Sequence, residues 1–349
     1  MVKFTDEQLG MIDFAKTEIK NMPYLVLSGT AGSGKTTCLS YLTELYPNFA
    51  VCSFTGKAAN VLRRKGVEHA ATIHSTIYDC EEDGKGKIRF ILKKPYKVDF
   101  TGLFVDESSM ISKELFEDLM SFGLPIIFFG DHAQLEPVGS KFNLMEKPHY
   151  RLETIHRNAN NIAKFADFLR QGNAAANYEH FDDKVKLSKK NRMTEKDFEQ
   201  YDQIICGFNK TRLTINNKMR HYLNYSGTLN KNEKIICLKN NRNLKVFNGM
   251  QGHVLKIDKK EILFESDGFK RKIDIDFRQF GMEKLIEDAN NNQELAYFDY
   301  AYAITAHKAQ GDEFDNVCVF EEQAPKFWSP ARWSYTAATR AKQKLLWCI

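Results

Sequence analysis

Residues 24–45 read YLVLSGTAGSGKTTCLSYLTEL, an apolar run, a glycine-rich turn and a helical pattern in immediate succession. The run is short and ends at glycine, as a strand buried on both faces should, and after Lys35 the apolar residues return at helical spacing. Between the two, Gly29-Thr-Ala-Gly32-Ser33-Gly34-Lys35-Thr36-Thr37 fits a P-loop. Glycines let backbone N–H groups converge on phosphate oxygens at the positive end of a helix; Lys35 reaches the β and γ phosphates, and the Thr36 hydroxyl is placed to bind Mg²⁺. Ser33 and Thr37 sit beside these two residues in the same cradle. A glycine-rich turn without a ligand is the bland alternative, and the strand before it and helix behind it argue against that.

Working outward, apolar runs alternate with helical patterns: FAVCSF at 49–54, GKAANVLRRKG at 56–66, GLFVDE at 102–107, ISKELFEDLMSF at 111–122 and PIIFFGD at 125–131. That alternation predicts a parallel sheet with crossover helices. Upstream, Thr5 and Gln8 are spaced as a capping box ahead of the stripe Leu9, Ile12, Ala15, Ile19, a helix expected to end before Pro23. The stretch IYDCEEDGKGKIRFILKKPYKVDF at 77–100 breaks the rhythm, and its Asp-Gly turn predicts a small hairpin insertion over about 76–100. A second α/β rhythm starts near Tyr150, with a helix over 160–170 closed by Gly172 and the strand QIICGF at 203–208. Short runs from 228 to 275 (KIICL, GHVLKI, EILFES, FKRKIDI) predict a small β-barrel inserted over about 228–290. The rhythm resumes with YFDYAYAIT at 297–305, NVCVF at 316–320, a helix begun by Ser329-Pro330 and the strand KLLWCI at 344–349. The expected domains are 1–147 and 148–349, since 349 residues exceed what one core usually holds.

Bulk composition bounds the reading without deciding it. The chain is 43% apolar with a net charge of +5, ordinary for a globular protein and compatible with a polyanionic partner. Seven cysteines with no close pair argue against a zinc knuckle or a disulfide framework and point to a reducing cytoplasm. No signal-like apolar core opens the chain and no run approaches about 18 apolar residues, so no membrane association is expected. From Lys231 to Lys272, eleven Lys and Arg stand against five Asp and Glu; a solvated face and a surface that tracks a nucleic-acid backbone both explain that excess.

Val105-Asp106-Glu107 closes the run GLF, and at a strand end Asp106 can hold Mg²⁺ while Glu107 orients and deprotonates an attacking water. The acidic pair could instead cap the next helix; alongside a P-loop, the catalytic reading is the stronger. A glutamate directly after the magnesium aspartate favours ATP hydrolysis over phosphoryl transfer to a metabolite. The run PIIFF then delivers Gly130-Asp-His-Ala-Gln134, whose glutamine could sense the γ-phosphate, because an amide can donate to it and accept from water.

In order along the chain, Gln8, GTAGSGKTT, SFTGKAA, TIHS, VDESSM, GDHAQLEPVG, HRN, VFNGMQGHV, AYAITAHKAQGDEF and YTAATRAKQKL resemble the motifs of superfamily 1 helicases, and among them the RecD-like and Dda-like branch that runs 5'-to-3'. The resemblance implies an α/β fold of two RecA-like P-loop cores with parallel sheets, ATP bound in the cleft between them, and ATP-dependent unwinding of DNA. It implies that Gln8 recognises adenine, that Arg157 and Arg340 reach the γ-phosphate, and that Gly311 and Glu313 touch the ribose and couple it to the strand. It also implies single-strand contacts from Phe54, Thr55, Lys57, His74, Thr305 and His307; their hydroxyl, cationic and imidazole groups suit phosphates, and Phe54 offers a face to a base. The implied partners are single-stranded DNA, tailed duplex DNA and replication or recombination proteins, for a monomer in the cytoplasm, or the host cytoplasm for a phage protein. Two other classes compete with a helicase: a nucleotide-switched clamp on single strands that never unwinds, and a P-loop metabolite kinase.

Overall fold

The computed structural model describes residues 3–82, 88–136, 142–154, 161–241, 243–266, 269–286 and 294–349. The chain divides into two compact units, Met1–Glu81 with Phe90–Lys164, and Glu82–Arg89 with Phe165–Ile349.

The first unit contains α1 (Asp6–Glu18), β1 (Tyr24–Gly29), α2 (Lys35–Leu45), β2 (Phe49–Ser53), α3 (Gly56–Arg64), β3 (Ala71–Thr72), α4 (Ile73–Ile77), β4 (Tyr78–Glu82), β5 (Ile88–Leu92), β6 (Gly102–Asp106), α5 (Lys113–Met120), β7 (Ile126–Gly130) and β8 (Tyr150–Leu152), with β4 and β5 each crossing a division point. Six strands form one sheet in the order β3-β2-β6-β7-β1-β8, every pair parallel, while β4 and β5 pair with each other in the stretch expected as a hairpin. Successive residues of a strand feed opposite faces. Leu25, Leu27, Phe104, Ile127 and Phe129 join Met11, Ile12, Leu39 and Leu42 of the helices on one face. Val26, Leu103, Val105, Ile126 and Phe128 join Ile73, Ile77, Leu115 and Leu119 on the other. Burial on both faces is why these strands read as unbroken apolar runs. A fully buried side chain such as Phe104 contributes about 2–3 kcal/mol to that core.

Two sequence expectations shift here. The first unit runs on past residue 147, because β8 pairs in parallel with β1 at Leu27–Tyr150 and Gly29–Leu152, so Tyr150–Leu152 belongs to the first sheet. The capping box of α1 forms as expected from Thr5 and Gln8, but Leu9 is 45% exposed and Met11 takes its place in the core. The helix stops at Glu18, before Pro23 as expected.

The second unit contains β9 (Val185–Ser188), α7 (Glu195–Phe198), β10 (Gln203–Cys206), α8 (Asn209–Tyr222), β11 (Lys234–Cys237), β12 (Gln251–Asp258), β13 (Glu261–Ser266), β14 (Phe269–Asp274), β15 (Phe298–Tyr300), β16 (Ala303–Thr305), β17 (Phe314–Phe320), α9 (Pro330–Ala338) and β18 (Ala341–Cys348), with α6 (Asn161–Arg170) spanning the division point. A parallel five-stranded sheet has the order β16-β10-β17-β18-β9. An antiparallel five-stranded sheet, β14-β13-β12-β11-β15, packs around Ile235, Val254, Ile262, Phe264, Ile273 and Phe298. YFDYAYAIT, one strand in the sequence, is therefore two: β15 ends the antiparallel sheet and β16 begins an edge of the parallel one. The inserted sheet accordingly extends beyond residue 290. Among the described residues no helix is long and apolar enough to cross a membrane.

Candidate active site

The described candidates of the first unit lie at the carboxyl ends of the strands, in the turns leading from them or in the first turn of the helices that follow, apart from Gln8 on α1. This is the edge where open α/β sheets hold ligands. The chain leaves β1 at Gly29 and turns through Gly32 (φ +84°) and Gly34 (φ +92°), a left-handed backbone that favours glycine. A Cβ on Gly34 would be strained by that φ and would stand 2.1 Å from Gln8 Nε2, so it would also displace the Gln8 amide. Gly34 is the N-cap of α2 without a side-chain cap and with no acidic residue in the first turn, which leaves the positive helix end to an outside acceptor. The hydroxyls of Thr30 and Ser33 are buried with no hydrogen-bond partner among the described residues, an arrangement that suits an oxygen-rich ligand. Lys35 Nζ donates to the carbonyls of Gly29 at 2.6 Å and Thr30 at 3.1 Å, while Thr36 and Thr37 follow in the first turn of α2, half-buried.

Gln8 reaches this loop from α1. Its Oε1 accepts the Thr5 N–H at 3.1 Å and its Nε2 donates to the Ser33 carbonyl at 3.1 Å, so the capping-box residue is also a brace of the P-loop.

At the end of β6, burial raises the Asp106 carboxyl above its ordinary value, opposed by the Glu107 N–H and by the charges of Lys35 and Lys65. Glu107 itself has φ 55° and ψ 41°, a left-handed conformation costing a residue with a Cβ about 1–2 kcal/mol. Such strain persists where surroundings impose it, and it gathers at functional sites. Ser108 Oγ donates to the Val105 carbonyl at 2.8 Å and closes the turn behind it. At the end of β7, buried Asp131 accepts from the Ala133 N–H at 3.0 Å and from Gln134 Nε2 at 3.3 Å, which fixes the amide.

Sequence reading missed Asp131 in this role, and missed the pair Ser28 and His132, whose side chains meet at 2.7 Å between neighbouring strands β1 and β7. The serine just before Gly29 and the spacing Asp131-x-x-Gln134 were the available signals.

Beside these, the ends of β2 and β3 carry the strand-contact candidates. Phe54 is half-buried against the core. Thr55 Oγ1 accepts the Ala58 N–H at 3.1 Å and so caps α3, on which Lys57 also lies. His74, on α4, stacks on Tyr78 with centroids 5.5 Å apart and planes 25° from parallel. In the second unit, Thr305 Oγ1 accepts the Lys308 N–H at 3.3 Å, and His307 lies 5.8 Å from Trp328. Burial pushes the His307 imidazole below its ordinary value, so at neutral pH it acts as a neutral donor and acceptor rather than a cation.

Gly311 has φ +78°, and Glu313 is exposed. Arg340 is only 4% exposed: Nε donates to the Thr336 carbonyl, Nη1 to the Asp312 carbonyl and Nη2 to Thr339 Oγ1, each at 3.0 Å. The KAQGDEF and YTAATRA segments are thus joined through this guanidinium. Arg157 lies outside the described residues. On the inserted sheet, Lys270 pairs with Glu265 at 3.1 Å and Lys272 with Glu261 at 3.0 Å, which favours the solvated-face reading for those two lysines.

The profile of a family described as an AAA domain matches residues 4–191, and one described as a UvrD-like helicase C-terminal domain matches residues 300–347. The chain is 24% identical to the ATP-dependent RecD2 DNA helicase of Deinococcus radiodurans, over 97% of this chain and 48% of that protein. It is also 24% identical to the conjugal transfer protein TraA of Rhizobium radiobacter, over 98% of this chain and 32% of the relative. It therefore spans less than half the length of these curated relatives. Among solved structures, Bacteroides Pif1 bound to ssDNA shares its fold with a TM-score of 0.63 at 18% identity, covering 100% of this chain and 93% of that one. The Pif1 helicase of Candida albicans does so with a TM-score of 0.56 at 19% identity, covering 100% and 94%.

Proposed function

The chain belongs to the AAA domain family, and on that premise we propose that it is a superfamily 1 helicase of the RecD-like branch, an ATP-driven DNA helicase moving 5'-to-3' on single-stranded DNA. The observation that carries this reading is the shared sheet edge of the first unit, where the uncapped P-loop helix, Asp106 and the strained Glu107 come together. In this reading Lys35 and the loop N–H groups hold the phosphates, Gln8 meets the adenine, Gln134 senses the γ-phosphate, and Gly311 and Glu313 contact the ribose. Arg157 and Arg340 stabilise charge on the transferred phosphoryl. Thr36 and Asp106 supply the hard oxygen donors that suit Mg²⁺, whose bound charge would offset the phosphates. Glu107 then takes the proton of the attacking water.

The strand is held by Phe54, Thr55, Lys57, His74, Thr305 and His307, through phosphate contacts that read no sequence. Opening a base pair costs on average about 1.4 kcal/mol per step in stacking, within what one ATP supplies. The paired strands β4 and β5 serve as the wedge. The antiparallel sheet acts as the small barrel, a reading supported by the bridge from Ile275 to Ala296, which brings the flanks of its two outer strands together.

The test is unwinding of duplexes tailed at the 5' or 3' end, alongside ATP turnover with and without single strand. Strand-stimulated hydrolysis with unwinding of the 5'-tailed duplex alone is expected; stimulation with no unwinding of either identifies a clamp, and no stimulation removes the motor. Glu107→Gln should lower turnover by about 10²–10⁴-fold while a fluorescent ATP analogue still binds, since an amide cannot accept the water's proton. Unaltered turnover would remove Glu107 as the base.

A further inference from the structure

Where β15 passes into β16, the chain leaves the antiparallel sheet and enters the parallel one within the two residues Ala301 and Tyr302. A strand changing sheets gives up ladder partners, and buried carbonyls there need other donors. Two side-chain amides supply them. Asn216 Nδ2 donates to the carbonyls of Tyr300 at 3.1 Å and Ala303 at 3.2 Å, and its Oδ1 accepts the Ala303 N–H at 2.7 Å. Gln203 Nε2 lies 3.1 Å from the carbonyls of both Ala301 and Tyr302, and its Oε1 accepts from Lys234 Nζ at 3.0 Å. Each carbonyl from Tyr300 to Ala303 thus has a side-chain amide within 3.2 Å, that of Tyr302 besides the Ile204 N–H it accepts, and both amide residues are fully buried. A carboxamide donates two hydrogens and also accepts through its oxygen, which is what this switch requires.

Asn216 does not act alone on its helix. Arg212 and Arg220 stand one turn either side on the same face of α8; Arg212 pairs with buried Asp299, Arg220 with buried Glu233, and Arg220 also covers the Tyr300 ring at 4.2 Å. Groups left without partners in such a site carry the full cost of desolvation, so the stripe admits one arrangement of the switch. Thr305 ends β16, directly beyond it, and His307 lies two residues on.

We propose that Asn216 is a positioning residue for single-strand binding: with Gln203 it locks the inserted sheet and β16 into one body, and so sets Thr305 and His307 against the strand. The proposal rests on the strand-binding reading of those two residues and adds the group that places them.

The test is Asn216→Asp, which keeps the side chain's size but cannot donate to both carbonyls. The single-strand concentration that half-saturates ATP turnover should rise about tenfold, with turnover at saturating strand kept within about twofold. Combined with Thr305→Val, the effects should multiply to less than their product, because one residue acts through the other. An unchanged half-saturation in a folded variant, fully independent effects, or a loss of turnover that only tracks a lowered Tm overturns the proposal. Should the variant not fold, hydrogen exchange on the wild-type protein decides: the amides of Ala303 and Ala306 should exchange with those of β11, and exchange about tenfold faster would overturn it. A wild-type protein unmoved by the strand overturns the strand-binding reading and this proposal together, whereas a responsive wild type with an unchanged variant overturns this proposal alone.

Discussion

Lys35→Ala should lower ATP hydrolysis by at least about 10³-fold, with and without single-stranded DNA. Lys35 stands at the first position of α2, next to the left-handed Gly34, and its ammonium lies along the loop within 3.1 Å of two carbonyls. Nothing in the apolar core depends on it, so the fold should survive and Tm should move by only a few degrees. The loss would then be one of charge at the β and γ phosphates, where the lysine's attraction grows as the transferred group separates. Phosphate release measured at saturating ATP, with circular dichroism as the control for folding, checks this. A variant that retains more than about a tenth of the wild-type rate would show that Lys35 is not the phosphate lysine.

Arg340→Ala is expected to lower turnover by about 10³-fold while nucleotide affinity changes far less, because a finger of this kind acts on charge that develops only during transfer. Its bonds to Thr336, Asp312 and Thr339 use one N–H from each nitrogen of the guanidinium, and the fork keeps two further N–H groups for a phosphoryl oxygen. Arg340→Lys should not rescue turnover, since an ammonium on a flexible stem cannot span those carbonyls and still present a planar pair of donors. The same bonds give the residue a second task, since removing it leaves the Asp312 carbonyl without its donor. Turnover per folded molecule, corrected through thermal unfolding, is therefore the quantity to measure. If that corrected rate falls by less than about tenfold, Arg340 is a brace between the KAQGDEF and YTAATRA segments and nothing more.

Much of the first unit was legible because its signals are local. The P-loop needs its glycines, lysine and threonine within a single turn between one strand and one helix, and that turn formed around the predicted residues. Asp106 and Glu107 were legible for the same reason, as an acidic pair closing an apolar run. Their left-handed backbone at Glu107 was not, since no residue type there announces it. Asp131 and Ser28 escaped notice because their roles depend on which strands lie side by side, and adjacency of β1 with β7 is not a local property.

The amino-acid sequence by itself determined the alternation of apolar runs and helical stripes, and hence two parallel sheets and the nucleotide edge, because burial on both faces and phosphate binding at a helix end impose residue types at short range. Tertiary structure alone decided that β8 completes the first sheet, that YFDYAYAIT divides between two sheets, and that α8 buries Arg212 and Asn216 and half-buries Arg220 beside them. Each of those depends on where a backbone carbonyl or a charged group finds its partner. Those partners lie far along the chain, at separations of 84 and 87 residues for Asn216, so no window of sequence around the helix could reveal them.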